Sequence, residues 1–362
     1  MENHSINVVV LIPAYNPNEK LIDFVKSIIE LNLTEILVIN DGSKPECDKY
    51  FKEIAKCKEC HVINHYVNQG KGRALKTGFN YYLENYDCDK YVGVVTADAD
   101  GQHTAKDTLI VAKSLFNNQK CLVLGKRNFN QKNVPIKSKF GNKITTQVFK
   151  MLYGIKINDT QTGLRGINSA DLKKFLKLNG EKFDFEINML IEGTKVKANE
   201  YFLEESIETV YEDNNKETHF NPIFDSVKIY MIMFKKFFAF AASGIVSSII
   251  DITLFSLLIF LPFKFKLDFN NILFSTILSR FISSMFNFSV NKNVVFKSNK
   301  KNIKIIFYYW ILCLIQMLCS ACLVFSISDL LHLNAVFVKI LVDFSLFLIS
   351  YKIQNEIIFK GE

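Results

Sequence analysis

The sequence has little charge in its last third. Residues 237–362 hold only 11 Lys and Arg and 6 Asp and Glu, out of 44 and 36 in the whole chain. Phe, Ile, Leu and Ser dominate this stretch instead. Several helices of that composition would leave too little polar surface for a soluble domain, so we predict membrane-spanning helices. The first two thirds carry charge of both signs and indicate an ordinary soluble domain.

Other absences narrow the class of protein. With 15 Gly and 6 Pro among 362 residues, the chain is neither collagen-like nor of low complexity. Its eight cysteines show no disulfide framework, and Cys57 and Cys60 lack a second ligand pair at zinc-site spacing. The net charge of +8 is not gathered into one basic stripe, so we expect no nucleic-acid partner. The start of the chain does not resemble a signal peptide, so we expect a cytoplasmic first domain.

Short β-branched runs alternate with helical patterns in the first hundred residues. This alternation predicts an α/β, Rossmann-like domain with a mostly parallel sheet. Polar loops follow three of its strands, and ligands of such sheets bind beyond the carboxyl ends of the strands, so one shared site is expected. The predicted strands are 6–12, 35–39, 61–66 and 91–96, the predicted helices are 18–31, one from about 45, and 71–85, and the loops are 13–16, 40–43 and 98–101.

Two carboxylates stand in the third of these loops. Asp98 and Asp100 are separated by one residue and follow a buried strand. Carboxylates so placed can hold Mg²⁺ or Mn²⁺ while substrate phosphates complete the coordination. An Asx-rich turn is the alternative explanation, because such turns are common after strands.

The neighbouring loops carry the groups that a nucleotide needs. Tyr15 can stack on a base, and Asp41 can accept a hydrogen bond from a ring N–H. Lys71 can neutralise a phosphate while Gly70 and Gly72 let the backbone approach it. Each of these motifs alone is an ordinary turn, but together with the carboxylates they indicate a nucleotide site.

These motifs resemble a known family. PAYN (13–16), NDGS (40–43), NQGKG (68–72) and DADGQH (98–103) resemble the family 2 glycosyltransferases of GT-A fold. DTQTGLR (159–165) and FDFE (183–186) resemble their polyprenyl-phosphate group, which includes dolichyl-phosphate mannose synthase and undecaprenyl-phosphate glucosyltransferases. Thr104 stands where this family often has proline, which we expect to alter a loop rather than the chemistry. The runs RFISSMFNFSVNKNVVF (280–296), KILVD (339–343) and SYKIQ (350–354) are similar to the GtrA family.

The resemblance implies a reaction and a set of partners. It implies an inverting transfer of a hexosyl or N-acetylhexosaminyl group from a nucleotide sugar, UDP favoured over GDP, to undecaprenyl phosphate. The product would be a lipid-phosphate sugar for decorating cell-envelope glycans. The acceptor phosphate is anionic near pH 7 and needs no strong base. The implied cofactor is Mg²⁺ or Mn²⁺, and a homo-oligomer is compatible with the resemblance.

The resemblance also assigns residues to roles. Asp98 and Asp100 would hold the metal and, with Arg127 and Arg165, form the catalytic set. Glu186 would either touch substrate or buttress a basic residue. The nucleotide sugar would contact Pro13, Tyr15, Asn16, Asp41, Lys71, Asp98, Asp159 and Gln161. The acceptor phosphate would contact Arg127, Arg165 and one of Lys137 and Lys139.

The chain is expected to have three parts. These are a cytoplasmic GT-A domain at 1–218, an interfacial amphipathic helix at 219–236, and a GtrA-like all-α four-helix transmembrane bundle at 237–362. A linker helix packed on the soluble domain is an equal alternative for 219–236. The distribution of Lys predicts both ends in the cytoplasm. The resemblance implies a multi-pass protein of the bacterial plasma membrane. The predicted spans are about 237–261, 270–290, 305–328 and 334–353.

Ionisable and polar residues lie within the predicted spans, where they are costly and usually paired or functional. We predict a pair between Asp251 and Arg280 across neighbouring helices. It would either take part in moving the lipid-linked sugar or only hold the helices together. A mere anchor or oligomerisation platform is the third explanation, and a processive synthase is disfavoured because no Q-x-x-R-W-type run appears. The membrane candidates are Asp251, Arg280, Asn287, Lys339 and Asp343.

Overall fold

The structure is a computed structural model that describes residues 6–129, 134, 136–196, 201–208, 224–260, 269–298 and 303–359. It divides into two compact units, Met1–Met233 and Phe234–Glu362. The predicted boundaries at 218 and 236 are close to this division but do not coincide with it.

The first unit is built on a seven-stranded sheet with the order β3-β2-β1-β4-β6-β5-β7. β6 runs antiparallel to β4 and β5, and the other neighbours are parallel, which confirms the mostly parallel sheet. The strands are β1 (Val9–Ala14), β2 (Ile36–Asn40), β3 (Cys60–Asn64), β4 (Gly93–Thr96), β5 (Leu122–Arg127), β6 (Arg165–Asn168) and β7 (Phe202–Ile207).

Helices cover this sheet and complete the core. The apolar face of the first helix buries Leu21, Phe24, Val25 and Ile28, as its helical spacing predicts. The helices are α1 (Lys20–Glu30), α2 (Asp48–Ile54) after a short 3₁₀ turn (Pro45–Cys47), α3 (Lys71–Asn85), α4 (Ala105–Asn117), α5 (Ile136–Tyr153), α6 (Ser169–Phe175) and α7 (Asp184–Gly193).

The register of the sheet aligns the ends of its strands. Ala14 lies opposite Asn40, and Asn40 lies opposite Asn64 on the next strand. The chain therefore leaves β1, β2 and β3 at the same level. This brings the loops after these strands to one edge of the sheet.

Four long helices follow, of which the first begins in the first unit. They are α8 (Phe224–Phe260), α9 (Phe269–Val290), α10 (Lys304–Leu331) and α11 (Ala335–Ile353), with π-helical turns at Asn291–Val295 and Gln354–Ile358. Phe224–Ile259 and Lys304–Leu331 are long and apolar enough to cross a membrane. Asn and Ser side chains in α9 and three charged residues in α11 reduce the apolar character of those helices. The predicted four-span bundle is therefore not confirmed by the described residues.

The predicted interfacial helix is not a separate element. α8 runs without a break from Phe224 past residue 236, because neither Gly nor Pro interrupts this stretch, while residues 219–223 lie outside the described residues. Lys228 Nζ lies 2.9 Å from Asp184 Oδ2, and the Tyr230 hydroxyl lies 3.1 Å from Thr145 Oγ1. These contacts within the first unit favour the alternative of a helix packed on the soluble domain.

Candidate active site

A cavity of about 1090 Å³ opens at the edge of the sheet where the predicted loops meet. It gathers side chains from the loops after β1, β2 and β4, from the start of α3 and from the end of β5. Of the predicted site residues, its lining includes Pro13, Tyr15, Asn16, Asp41, Lys71, Asp98, Asp100, Arg127 and Gln161.

Asn16 links the loops after β1 and β2. Its backbone is in the left-handed region, with φ +48°. Its N–H donates to Ser43 Oγ at 2.9 Å, and its Oδ1 accepts from the Lys44 N–H at 2.9 Å. Asn tolerates this conformation better than most residues, so the position suits the residue found there.

Asp41 holds the loop that precedes α3. Its side chain is buried, with Oδ1 2.7 Å from His65 Nδ1 and 2.9 Å from the Gln69 N–H. Oδ2 accepts from the Gly70 N–H at 2.8 Å. Three of about four acceptor positions of this carboxylate are thus in use, which leaves one for the predicted ring N–H.

The two glycines of NQGKG serve packing within the chain. Gly70 has φ +98°, and a Cβ there would collide with the Glu181 carbonyl oxygen. A Cβ on Gly72 would lie 2.6 Å from Phe185 Cβ. These glycines give room to the 181–185 segment of the same chain. Gly70 also lines the cavity, and the approach of a phosphate to this backbone stays a prediction.

Lys71 lies between two carboxylates. Its Nζ is 2.6 Å from Asp98 Oδ1 and 3.1 Å from Glu186 Oε1. Burial alone would lower the pKa of Lys71, but Asp98 and Glu186 outweigh it and raise that pKa. Glu186 thus buttresses a basic residue, which was one of its two predicted roles. The ammonium predicted to meet a phosphate is already neutralised here.

Asp98 and Asp100 fit a divalent cation. Burial and the charge of Asp98 raise the pKa of Asp100. Against its burial, the Lys71 ammonium and His103 lower the pKa of Asp98. The two carboxylates offer the hard oxygen donors that Mg²⁺ and Mn²⁺ prefer. The described residues contain no group of three or more His, Cys, Asp and Glu that could hold a metal, so substrate phosphates and water would supply the remaining ligands.

Gly163 shapes the position of Asp98. A Cβ on Gly163 would collide with Asp98 Oδ2. The loop before β6 can therefore pass beside this carboxylate only because residue 163 lacks a side chain.

Arg127 is oriented by Asp159. Arg127 Nε donates to Asp159 Oδ2 at 2.7 Å, and Nη2 donates to Oδ1 at 2.9 Å. The Asp159 side chain is fully buried, whereas Arg127 lines the cavity. The prediction that Asp159 contacts the sugar is corrected, because it lies behind the guanidinium. Gln161, whose N–H donates to Asp159 Oδ1 at 3.1 Å, does line the cavity.

Arg165 is not at the cavity. Its side chain is 0% exposed, and its guanidinium donates to the carbonyls of Thr162, Glu186 and Thr160 at 2.9, 2.7 and 3.5 Å. Burial lowers its pKa. The predicted contact with the acceptor phosphate is corrected: Arg165 joins the loop before β6 to α7.

The second acceptor-binding position is not found among the described side chains. Lys139 is exposed on α5, outside the cavity lining, and the side chain of Lys137 lies outside the described residues. α5 instead contributes Ser138, Gly141 and Thr145 to the cavity.

The cavity lining also includes apolar side chains, which the sequence reasoning missed. Phe129, Phe183, Ile187 and Ile229 contribute to it from three parts of the chain, since Phe183 and Ile187 both lie at the start of α7. Phe183 opens the FDFE motif, which could have indicated it. No local signal points to Ile229, because its position follows from the packing of α8 within the first unit.

Comparison with known proteins identifies both parts of the chain. Residues 9–176 match the family model of glycosyl transferase family 2, and residues 239–359 match the GtrA/DPMS transmembrane domain. The chain joins a family 2 glycosyltransferase domain to a GtrA/DPMS transmembrane domain. The resemblance drawn from the motifs is confirmed, and the chain is a membrane protein.

Similar proteins include an N-acetylglucosaminyltransferase. A protein of Methanococcus voltae named UDP-N-acetylglucosamine–dolichyl-phosphate N-acetylglucosaminyltransferase is 29% identical over 221 residues, 56% of this chain and 86% of the relative. An uncharacterized protein of Methanocaldococcus jannaschii is 27% identical over 239 residues, 64% of this chain and 93% of the relative.

Solved structures give weaker likenesses. S. aureus TarS 1–349 in complex with UDP-GlcNAc has TM-score 0.40 and 12% identity, covering 97% of this chain and 92% of that one. GalNAc-T7 with UDP, GalNAc and Mn²⁺ has TM-score 0.36 and 15% identity, covering 66% and 51%. Likenesses this low carry no argument about the site.

In the GtrA/DPMS domain, the predicted charged pair is present. Arg280 Nε on α9 lies 3.2 Å from Asp251 Oδ2 on α8. Lys339 and Asp343 pair at 2.9 Å along α11. Asn287 Oδ1 accepts from the Tyr309 hydroxyl at 2.9 Å.

Proposed function

We propose that this glycosyltransferase moves a sugar from a nucleotide sugar to a polyprenyl phosphate. The observation that carries the proposal is the mixed lining of the cavity. It includes the charged side chains of Asp98, Asp100 and Arg127 and the apolar side chains of Phe129 and Ile187. A charged donor and an acceptor with a phosphate head and an apolar chain match this mixture.

The donor would lie at the charged residues of the cavity. Asp98 and Asp100 would hold Mg²⁺ or Mn²⁺, which offsets the charge of the leaving nucleoside diphosphate. Tyr15 and Asp41 line the same cavity where a base can stack and donate a hydrogen bond. The name of the Methanococcus voltae relative supports a UDP-linked N-acetylhexosamine as the sugar.

The acceptor phosphate would meet Arg127. Asp159 already takes two of the N–H donors of the guanidinium, and the side chain is 15% exposed, so Arg127 faces the cavity in a fixed orientation. Guanidinium groups suit phosphate better than ammonium groups do. The apolar side chains of the lining would receive the first isoprene units of undecaprenyl or dolichyl phosphate.

The transfer needs no proton acceptor from the chain. An oxygen of the acceptor phosphate attacks the anomeric carbon, and the bond from that carbon to the nucleoside diphosphate breaks. The electron pair leaves with the diphosphate, and attack opposite to the leaving group inverts the anomeric centre. The chain's contribution is to align the two phosphates and stabilise the departing charge.

A matrix of substrates tests this proposal. Purified full-length protein would be assayed with UDP- and GDP-sugars against undecaprenyl and dolichyl phosphates, with Mg²⁺ or Mn²⁺. We expect a lipid-phosphate sugar from at least one UDP-sugar, and its loss with chelator or in Asp100→Asn. Full activity in excess chelator would contradict the metal role. No lipid product from any combination would contradict the proposed reaction.

For the GtrA/DPMS domain, we propose a role in moving the product across the membrane. Arg280 contacts Asp251, yet its side chain is 72% exposed within the structure. A guanidinium so exposed in a transmembrane domain can receive an anionic head group. The distribution of Lys supports cytoplasmic ends, which would put the catalytic unit on the side where nucleotide sugars are made.

A further inference from the structure

The Lys71 ammonium contacts Asp98, one of the two carboxylates that would hold the metal. This ammonium lies 2.6 Å from Asp98 Oδ1 and 3.1 Å from Glu186 Oε1, and the Phe183 ring lies 5.8 Å away. The Lys71 side chain is 17% exposed. An internal cation therefore stands at the oxygen that a metal ion would use.

Two cations cannot share this oxygen at low cost. At such separations in a partly buried site, the repulsion between like charges is large. The four-carbon stem of Lys71 allows its ammonium to move. Glu186 can remain the partner of this ammonium when its contact with Asp98 breaks. The diphosphate of a nucleotide sugar would supply a new anionic partner.

We propose that Lys71 is a positioning residue that holds Asp98 until a diphosphate draws its ammonium away. Divalent cation and nucleotide then bind cooperatively, and the metal alone binds weakly. The inference rests on the proposed function for the identity of the diphosphate.

The test measures Mn²⁺ binding without sugar transfer. Mn²⁺ would be titrated into full-length protein in detergent, with free Mn²⁺ followed by electron paramagnetic resonance. In the absence of nucleotide, Lys71→Met is expected to bind Mn²⁺ at least about tenfold more tightly than wild type. UDP should raise the Mn²⁺ affinity of wild type more than that of the variant. Lys76→Met is the matched control on α3, because Lys76 pairs with Glu181 and is absent from the cavity lining.

Equal or weaker Mn²⁺ binding by Lys71→Met, and by Lys71→Gln as a second uncharged variant, would overturn the proposal. Failure of the proposed function is distinguishable from this result. It would appear as absent sugar transfer by wild type while the Mn²⁺ titrations keep their expected order.

A second, independent inference comes from the two π-helical turns. Asn291 begins the turn after α9, and Gln354 begins the turn after α11. The Phe296 N–H donates to the Asn291 carbonyl at 2.8 Å, and the Phe359 N–H donates to the Gln354 carbonyl at 2.8 Å. The hairpin of α8 and α9 and the hairpin of α10 and α11 thus end in the same way.

The contacts between the hairpins are reciprocal. The Phe240 ring of the first hairpin lies 5.4 Å from the Tyr351 ring of the second. The Tyr309 ring of the second lies 5.3 Å from the Phe288 ring of the first. Phe240 and Tyr309 lie on the first helix of their hairpins, and Phe288 and Tyr351 on the second. Such exchanged contacts are the mark of an isologous, two-fold interface.

Equivalent residues meet each other at the centre of this interface. Asn291 Nδ2 donates to Gln354 Oε1 at 3.1 Å, with Asn291 0% and Gln354 4% exposed. The rings of Phe296 and Phe359 stack at 5.2 Å with planes 16° apart. A pseudo-two-fold axis therefore passes between these pairs.

We infer that the transmembrane domain is a duplicated helical hairpin whose halves pair as an internal dimer. The buried junction of Asn291, Gln354 and the aromatic rings joins the halves. The Asp251–Arg280 pair and the Ser320–Asp343 hydrogen bond each lie within one hairpin.

Exchange of the central pair tests the symmetry. Thermal unfolding of the full chain in detergent would be compared for Asn291→Leu, Gln354→Leu and the double variant Asn291→Gln/Gln354→Asn. The leucine variants should lose several degrees, because each removes one hydrogen-bond partner of a buried amide. The exchange variant should recover most of this loss. Ser248→Ala is the control, since its exposed hydroxyl bonds only its own helix. An exchange variant no more stable than the leucine variants, or leucine variants as stable as wild type, would overturn the inference.

Discussion

Asp159 determines where the Arg127 guanidinium points. Replacing Asp159 with Asn removes the negative charge and one of the two carboxylate oxygens that accept hydrogen bonds from the Arg127 guanidinium. We expect KM for the polyprenyl phosphate to rise about tenfold or more, with a smaller effect on KM for the nucleotide sugar. Steady-state kinetics with each substrate varied in turn measures this split. Asp89→Asn in an exposed turn is the control. Equal effects on both KM values would contradict the positioning role.

Gly163 gives a second test at the residue scale. A methyl group at this position collides with the Asp98 carboxylate, so Gly163→Ala should displace a metal ligand. We expect both Mn²⁺ binding and turnover to fall by about tenfold or more. Gly244→Ala is the matched control, because nothing lies within 4 Å of its added Cβ. Wild-type Mn²⁺ affinity in Gly163→Ala would contradict the role of Gly163 in placing Asp98.

The motifs predicted which residues gather at the site but not which of them face it. DTQTGLR contains both Asp159 and Arg165, and both are fully buried. Asp159 lies in the loop before β6, and Arg165 is the first residue of that strand. β6 runs antiparallel to both of its neighbours. The sequence contained no signal for that reversal, and side-chain direction depends on it. Residue type alone therefore suggested phosphate and sugar contacts that the fold does not make.

At the scale of elements, Thr104 caps α4. Its Oγ1 accepts from the Asp107 N–H at 3.1 Å and donates to Asp107 Oδ2 at 2.8 Å. We expect Thr104→Ala to lose about 1 kcal/mol of stability, and Thr104→Ser to keep most of it. The midpoint of thermal unfolding of the first unit measures the difference. Equal midpoints for the alanine and serine variants would contradict the capping role.

Element bounds were predictable where local signals mark both ends. α3 spans Lys71–Asn85, as the spacing after the NQGKG loop predicts. The sequence pattern changes from amphipathic to apolar near residue 236, which suggested two elements. Neither Gly nor Pro breaks the helix at this point, so α8 continues through it. Periodicity reports which face is apolar, but only the packing of Lys228 and Tyr230 in the first unit shows what that segment contacts.

At the scale of the whole molecule, movement of the product across the membrane should be separable from its synthesis. In proteoliposomes, Arg280→Ala should leave formation of the lipid-phosphate sugar largely unchanged and slow its appearance in the opposite leaflet. The reason is that a charged head group crosses an apolar layer of about 30 Å very slowly without a polar partner. Ser289→Ala, with an exposed hydroxyl on the same helix, is the control. Normal transbilayer appearance would leave this domain as an anchor.

The most direct test of the central claim is the dependence of diphosphate release on the lipid acceptor. Purified full-length protein would be given a UDP-sugar and Mn²⁺, and UDP release would be followed with and without polyprenyl phosphate. We predict release only when the lipid is present, one lipid-phosphate sugar for each UDP, and loss of both in Asp100→Asn. UDP released at the same rate without the lipid, or from Asp100→Asn, would contradict the account.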